Sequence, residues 1–369
     1  MKYSFVIPTY NRKEYLKRSL EALNNLSGYS ADDYEVVVVD DGSSEDLFEY
    51  IRGVNHNYHL NYIYLERSED SCRSRTRNYG ISIARGKYIA FIDNDIVVNS
   101  DYLQELDRYF SISENLVIIG TRLDCPPDMI GKTDTRDLRE KALSEADPDI
   151  LDLRHLALNS LSYNLPAHKY PWMMTLTCNL AIPRELLLNS GGFDENFKKW
   201  GFEDIELGYR LHKAGARFVF NSRNEVLHQS HPLASPAESN QPYFVRKCAD
   251  LFKEIDYSSL FFLQGLSTED PVVLAKYRNY QGKTRRRETV VLQDQSQVDS
   301  VKKKILRLVK KKGCEVIVND QCENTDLDVW TQMLDVKQAL VSYFPRTFTL
   351  GKDKSLAIIE NILLKKRRT

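Results

Sequence analysis

Three polar residues, Asp93, Asn94 and Asp95, directly follow the run 87–92. A short, continuous apolar run is typical of a buried strand in a parallel sheet, and open α/β sheets bind their ligands beyond the carboxyl ends of such strands. Two carboxylates at that place can hold Mg²⁺ or Mn²⁺ together with a substrate phosphate. They can equally cap a following helix. The triplet by itself leaves both interpretations open.

Two earlier apolar runs, 3–7 and 34–39, also end in polar residues. Asp40 and Asp41 follow the second run, and either carboxylate can accept a hydrogen bond from a nucleobase N–H. Thr9 follows the first run and, with Tyr10, can flank a base or a ribose. The alternative for the Asp-Asp-Gly-Ser sequence is a turn followed by a helix cap.

Arginines open the predicted helix 74–81, and cations near a helix start can hold a phosphate. Arg73 and Arg77 are the candidates, although a solvated helix face would have the same composition. Three polar strand ends in one sheet are improbable by chance. Their coincidence favours a nucleotide site.

The order of the elements predicts an α/β fold. The predicted strands are 3–7, 34–39, 61–66, 87–92, 171–182, 217–220 and 225–228, and helices are predicted at 12–26, from Ser43 or Ser44 to 51, and at 74–81. Strands that alternate with helices through short loops indicate a mostly parallel, doubly wound sheet. Such a sheet brings the three polar strand ends to one edge.

An acidic pair, Glu203 and Asp204, follows Trp200 and opens a predicted amphipathic helix. Helix N-termini favour acidic residues for electrostatic reasons alone.

The motifs in this order resemble the family 2 glycosyltransferases of the GT-A fold, over roughly the first 230 residues. The resemblance rests on the segments 6–12, 39–43, 77–80 and 93–95. The segment Trp200-Gly-Phe-Glu-Asp204 is similar to that of galactosyltransferase-type and chondroitin-polymerase-type enzymes. The resemblance implies a Rossmann-like, mostly parallel sheet flanked by helices, and metal-dependent, inverting transfer of a sugar from a nucleotide diphosphate.

The resemblance also implies roles for single residues. Asp204 is the expected general base, Glu203 and Trp200 are expected to bind the acceptor, and Asp95 and His228 are expected to hold the metal. His228 matches the family position better than His231, and an imidazole ligand suits Mn²⁺ better than Mg²⁺. The expected donor-binding residues are Pro8, Thr9, Tyr10, Arg12, Asp40, Asp41, Arg73, Arg77, Asp93 and Asn94.

The composition of the 369 residues is ordinary for a globular protein, with a formal net charge of −1 that gives no reason to expect a nucleic-acid partner. The six cysteines include no Cys-x-x-Cys pair, which predicts free thiols rather than zinc or disulfides. The N-terminus lacks an apolar leader, and no run of eighteen apolar residues occurs. We therefore expect a cytoplasmic protein with no transmembrane segment.

The predicted boundary divides a catalytic domain, 1–265, from a smaller C-terminal α/β appendage, 266–369. The appendage is expected to contain strands 289–292 and 315–318 and helices 298–312 and 355–366. Its lysine clusters are typical of a solvated face, and docking on an acidic acceptor, a partner or a membrane surface is the alternative. Self-association stays open.

The predicted function is transfer of a sugar from a nucleotide diphosphate donor, with UDP expected because an aspartate near the base is usual for uracil. The acceptor is a hydroxyl, or another nucleophile, of a glycan or a peptide, and the cofactor is Mn²⁺ or Mg²⁺. A nucleotide-sugar-binding protein without turnover and a sugar nucleotidyltransferase are the alternatives. The acidic pair argues against the first, and the Trp-Gly-Phe-Glu-Asp segment argues against the second.

Overall fold

The computed structural model describes residues 1–145, 170–231, 239–251, 286–310, 314–322, 326–334 and 340–345, with scattered positions between 147 and 167. The chain divides into two compact units, Met1–Leu138 with Trp172–Asp256 and Arg139–Pro171 with Tyr257–Thr369. The boundary predicted after residue 265 and the helix predicted at 355–366 lie outside the described residues.

The first unit is built on a seven-stranded sheet. Its strands, and those of a small accessory sheet, are β1 Tyr3–Thr9, β2 Tyr34–Asp40, β3 His59–Tyr64, β4 Tyr88–Phe91, β5 Ile96–Val97, β6 Leu116–Ile119, β7 Arg122–Cys125, β8 Leu180–Pro183, β9 Arg217–Phe220 and β10 Val226–Gln229. The large sheet has the order β3-β2-β1-β4-β8-β6-β9, and β5, β10 and β7 form the accessory sheet.

Strands β1 to β4 are mutually parallel, as the sequence predicts, whereas β8 runs antiparallel to both β4 and β6. The strand predicted over 171–182 forms only at its end, in β8. A 3₁₀ turn occupies Pro171–Met174 instead, and the N–H of Thr175 donates to the carbonyl of Trp172 within that turn.

The helices in the described part of the chain are α1 Lys13–Leu23, α2 Leu47–Gly53, α3 Arg73–Ile83, α4 Tyr102–Phe110, α5 Thr135–Glu145, α6 Arg184–Asn189, α7 Glu203–Lys213, α8 Gln241–Lys247, α9 Val298–Leu308 and α10 Leu327–Met333. The prediction that Ser43 or Ser44 caps α2 is wrong. Asp46 is the N-cap, and its carboxylate accepts from the N–H of Glu49. Ser43 donates to Asp40 in the preceding turn.

Strands β1 and β2 are interior strands of the large sheet and belong to the core of the first unit. Val36 to Val39 are fully buried, so β2 is covered on both faces. Helix α3 packs on β1 so closely that a Cβ on Gly80 would lie 2.4 Å from Val6 Cγ1. Any larger residue at position 80 would push the helix away from the sheet.

The second unit contains a small parallel sheet of order β11-β12-β13, formed by Arg286–Leu292, Cys314–Asp320 and Leu340–Pro345. Its apolar core includes Val290, Val316 and Val318 of the sheet and Ile305 of α9. The predicted appendage is therefore α/β, although α10 and β13 were not predicted. Among the described helices, none has the length and apolar character to cross a membrane.

Candidate active site

The loops after β1 and β2 are tied to each other. The N–H of Asn11 donates to Ser43 Oγ at 2.8 Å, and Asn11 Oδ1 accepts from the N–H of Ser44 at 2.8 Å. The predicted donor residue Asp40 is fully buried, and its two oxygens accept from the Ser43 hydroxyl at 2.6 Å and the Tyr62 hydroxyl at 2.7 Å. Its carboxylate therefore holds the turn in place.

Asp41 has an oxygen suited to a ligand. Its Oδ2 accepts from Arg67 at 3.0 Å, whereas its buried Oδ1 has no hydrogen-bond partner among the described residues. Burial raises the pKa of Asp41. The guanidinium of Arg67 also lies 3.9 Å from the centre of the Tyr10 ring, which is 43% exposed. A buried acceptor beside an exposed ring can take a nucleobase.

The segment after β4 is fixed to β1 through Asn94. The side-chain Nδ2 of Asn94 donates to Thr9 Oγ1 at 2.9 Å, and the backbone carbonyl of Asn94 accepts from the Ser19 hydroxyl at 3.0 Å. Both hydrogen bonds are buried. Asn94 and Thr9 thus join the two central strand ends, while the flanking carboxylates of Asp93 and Asp95 point elsewhere to their own partners.

Asp95 meets two histidines. Its Oδ2 lies 3.1 Å from His231 Nε2, and its Oδ1 lies 3.7 Å from His228 Nε2. One oxygen or nitrogen atom from each of the three side chains lies within 4.8 Å of the others, as required for a shared cation. Asp95 Oδ1 is buried without a hydrogen-bond partner in the described chain. The structure brings His231, the poorer sequence match, to the same place as His228.

A second carboxylate orients His228. The Nδ1 atom of His228 contacts Asp124, which follows Leu123 in β7, a neighbour of β10 in the accessory sheet. Burial alone would lower the pKa of His228, but contacts with Asp124 and Asp95 raise it to about 9. Burial would likewise raise the pKa of Asp95, but the two imidazoles hold it well below its ordinary range. The contacts within the cluster therefore favour the charged forms of both Asp95 and His228.

Arg77 lies between the strand end and the acidic pair. It is 2% exposed, and it donates to Asp93 at 3.1 Å and to Glu203 at 3.2 Å. Burial would lower the pKa of Arg77, but the charges of Asp93, Glu203 and Asp204 raise it. The predicted donor-binding residue is thus a buried link between the two halves of the site.

Glu203 and Asp204 begin α7 and are both buried. Glu203 Oε1 is used by Arg77, and Oε2 has no hydrogen-bond partner among the described residues. Burial and the adjacent Glu203 raise the pKa of Asp204 to about 7, against the opposing effect of Arg77. A carboxylate with that pKa exchanges a proton near neutral pH, as a general base must.

The segment leading into this helix exposes an aromatic ring. Trp200 is 42% exposed, and Gly201 and Phe202 follow in left-handed backbone conformations with φ of 81° and 73°. Such a conformation is costly for a phenylalanine. The surroundings must therefore hold this turn, and the turn places Trp200 immediately before the acidic pair.

The remaining predicted residues lie around these groups. Arg73 is the exposed first residue of α3, and Arg12 lies with Nη1 3.9 Å from Asp95 Oδ2. Pro8 lies within β1, in register with Val39 of β2. The contributions of Arg12 and Arg73 to donor binding stay predictions.

Sequence reasoning missed three residues that the structure brings into the site. Arg67 and Asp124 lie in segments without a distinctive pattern, so no signal in the sequence distinguishes them. Asn240 precedes Gln241-Pro242, a pattern that is typical of a helix start. That pattern indicates a helix and gives no information about a contact with the site. The role of Asn240 depends entirely on tertiary contacts.

Comparison with known proteins agrees with this geometry. Residues 4–154 match the model of glycosyl transferase family 2, and residues 155–232 match that of the N-terminal domain of galactosyltransferase. Validoxylamine A glucosyltransferase of Streptomyces hygroscopicus subsp. jinggangensis (strain 5008) is 29% identical over 264 residues, which are 68% of this chain and 62% of that protein. Chondroitin synthase of Escherichia coli is 30% identical over 243 residues, which are 62% of this chain and 35% of that protein. The chain spans less than two thirds of the length of either relative.

Two solved structures share the fold. TarS 1-349 of S. aureus in complex with UDP-GlcNAc has a TM-score of 0.50 and 18% identity, over 76% of this chain and 72% of that one. GalNAc-T7 with UDP, GalNAc and Mn²⁺ has a TM-score of 0.51 and 20% identity, over 76% of this chain and 54% of that one. The predicted GT-A fold and the predicted family are confirmed.

Proposed function

Because this chain is a family 2 glycosyltransferase of the GT-A fold, we propose that it transfers a sugar from a UDP-sugar to a hydroxyl of a glycan or peptide acceptor, with inversion at the anomeric carbon. The buried Glu203–Asp204 pair, linked by Arg77 to the strand end that carries Asp93, is the observation that carries the proposal. It joins a candidate proton acceptor to a candidate donor site.

The donor is expected to bind over the ends of β1, β2 and β4. Asp41 Oδ1 has no hydrogen-bond partner within 3.5 Å among the described residues and can accept the N3–H of uracil. The Tyr10 ring, stacked on its other side by Arg67, can cover the base. The TarS and GalNAc-T7 structures are described with UDP-GlcNAc and with UDP, and we extend that nucleotide to this chain.

Asp95, His228 and His231 fit a divalent cation, since a carboxylate and two imidazoles converge and one buried carboxylate oxygen lacks a hydrogen-bond partner in the described chain. A ligand set with nitrogen atoms favours Mn²⁺ over Mg²⁺. When bound, the cation neutralises charge that develops on the departing diphosphate. The raised pKa of His228 means that protons compete for this position, so cation affinity should fall as the pH falls.

Asp204 takes the proton of the acceptor hydroxyl. The acceptor oxygen then forms its bond to the anomeric carbon on one face, while the bond from that carbon to the diphosphate oxygen breaks on the opposite face. Glu203 holds the acceptor, since one oxygen is bound to Arg77 and the other remains available. Asp204 must be ionised for this step, and its pKa of about 7 allows this at and above neutral pH.

The acceptor class follows from the exposed ring and from the relatives. Trp200 offers a flat apolar face that a sugar ring can cover. The names of the relatives include a glucosyltransferase that acts on validoxylamine A and a chondroitin synthase. We therefore propose that the acceptor is a hydroxyl group of a carbohydrate or a similar molecule, in preference to a peptide.

A panel of nucleotide sugars tests the proposal. Each is incubated with the protein and Mn²⁺, and release of the nucleoside diphosphate is followed with and without acceptor sugars. Asp204→Asn serves as the matched variant, because it keeps the shape of the side chain and removes the proton acceptor. We expect UDP release from at least one UDP-sugar, and we expect Asp204→Asn to bind UDP but to release it far more slowly.

Two other results would assign a different activity. Tight UDP-sugar binding without any release, in the presence of every acceptor tried, would indicate a binding protein. Formation of a nucleotide sugar from a sugar phosphate and UTP, with release of pyrophosphate, would indicate a nucleotidyltransferase.

A further inference from the structure

One buried amide holds the backbone of the loop 199–201. Asn240 is 3% exposed, and its Oδ1 accepts from the N–H of Lys199 at 2.9 Å. Its Nδ2 donates to the carbonyl of Lys199 at 2.8 Å and to the carbonyl of Gly201 at 2.9 Å. Its own N–H donates to the carbonyl of Trp200 at 3.1 Å. Every residue of the loop is thus bound by Asn240.

The loop needs such a clamp because of its conformation. Gly201 and Phe202 are both left-handed, and a phenylalanine adopts that conformation only where its surroundings enforce it. Release of the carbonyl of Gly201 would free the turn to relax. Since Phe202 is followed directly by Glu203, a relaxed turn would displace the start of α7 together with Trp200.

Asn240 is itself firmly placed. It precedes α8, whose Phe244 packs against Phe202 with ring centres 5.1 Å apart. Further along the helix, Tyr243 donates to Asp194 at 2.8 Å, and Lys247 lies 2.9 Å from Glu206 of α7. The clamp is therefore anchored to the helix that carries the acidic pair, and it does not move independently of it.

We propose that Asn240 is a positioning residue that fixes Trp200 and the entry to α7 in the geometry that binds the acceptor. This inference rests on the proposed function, in which Trp200 and Glu203 bind that acceptor. Asn240 itself lies outside the range 4–232 that the family models match. The acceptor side of this protein thus depends on a segment beyond the matched range.

The test compares Asn240→Ala and Asn240→Asp with Arg246→Ala. The aspartate keeps the acceptor for the N–H of Lys199 but replaces the two donated hydrogen bonds by repulsion between oxygens. Arg246 is exposed on the same helix, so its loss controls for a mutation in α8. Acrylamide quenching of Trp200 is obtained as the difference between each variant and the same variant carrying Trp200→Phe.

Kinetics with a probe acceptor separate positioning from simple structural support. UDP release from the active UDP-sugar is measured in water alone and with D-glucose or N-acetyl-D-glucosamine added. We expect both Asn240 variants to increase Trp200 quenching and to raise the KM for the probe sugar about 10- to 100-fold, as a displaced binding group does. The affinity for UDP with Mn²⁺ should be unchanged, because the hydrogen bonds of Asn240 within the described part of the chain are all with the loop 199–201 and with its own helix.

Several results would overturn the inference. These are quenching and KM equal to those of Arg246→Ala, increased quenching with an unchanged KM, and loss of UDP binding together with acceptor binding. Failure of both Asn240 variants to fold would also overturn it, because the residue would then be a general structural element. A wild-type protein that releases no UDP contradicts the proposed function instead, and Trp200 quenching then decides whether Asn240 holds the loop.

Discussion

Replacing Arg77 with methionine removes the charge that joins the two halves of the site while keeping a side chain of similar length. The Arg77 side chain is 3% exposed and its partner Glu203 is 6% exposed, so this pair is almost fully desolvated. The Asp93 side chain is 33% exposed, and solvent weakens that second contact. Loss of one partner of a buried pair costs about 3–5 kcal/mol, and we expect about 3 kcal/mol here.

Chemical unfolding at neutral pH measures this loss. Arg75→Met is the matched control, because Arg75 lies on the same helix but is only half-buried, and its side chain makes a long hydrogen bond of 3.4 Å to Ser68 Oγ and lies 5.7 Å from the centre of the Tyr79 ring. The control should change the free energy of unfolding by no more than about 0.5 kcal/mol. The double variant Arg77→Met with Glu203→Gln removes both charges of the buried pair, and it should recover part of the loss because only Asp93 and Asp204 then lack the neighbouring cation.

The pH dependence has a definite sign. Arg77 opposes the raised pKa of Asp204, so without Arg77 the pKa of Asp204 in the folded protein rises further above its unfolded value. A carboxyl group with a raised pKa stabilises the fold at low pH, and that stability is lost as the pH rises from its ordinary pKa through the raised one. The penalty of Arg77→Met should therefore shrink as the pH is lowered from 8 towards 5. A penalty equal to that of Arg75→Met, or one that grows on acidification, would refute this account of Arg77.

Four further predictions concern catalysis and the cation. Asp204→Asn should lower the transfer rate by about 10²–10⁴-fold without changing the affinity for UDP, whereas Glu203→Gln should mainly raise the KM for the acceptor; equal activity of both with the wild type would contradict their assigned roles. In the wild type, transfer should rise with pH through about 7, because Asp204 must lose its proton, and a rate that falls over this range would exclude it as the base. Asp95→Asn should abolish Mn²⁺-dependent UDP binding in calorimetry, and unchanged binding would remove Asp95 from the cation site. Asp124→Ala should weaken Mn²⁺ binding about 10- to 100-fold by releasing the ring of His228, and unchanged affinity in a titration with Mn²⁺ alone would contradict this.

Much of the fold was predictable because apolar runs report burial directly. The run of valines in β2 is buried on both faces, and such a run predicts a central parallel strand regardless of its neighbours. The same reasoning failed at the start of the strand predicted over 171–182, where Trp172, Met173 and Met174 are buried in a 3₁₀ turn rather than in a strand. Burial alone does not distinguish the two, because both conformations can hide the same side chains.

The candidate site was predictable in its residue types but not in its connections. Asp93, Asp95, Glu203 and Asp204 were all named from local motifs and a family resemblance. Arg77 was assigned to the donor because a helix start can hold phosphate. Its partners lie 16 and 126 residues away in the chain, and no local pattern reports contacts over such separations.

The sequence by itself determined that β1, β2 and β4 are buried strands and which polar groups follow them, because these features depend on neighbouring residues. Only the tertiary structure decided how those groups are shared. Folding brings Asp124 to His228 and His231 to Asp95, and it places Asn240 on the loop of Trp200. Each of these contacts joins segments that are distant in the sequence and do not interact until the sheets and helices pack. Hydrogen bonds and ion pairs form only when their atoms are a few ångströms apart, so a local sequence pattern does not report them.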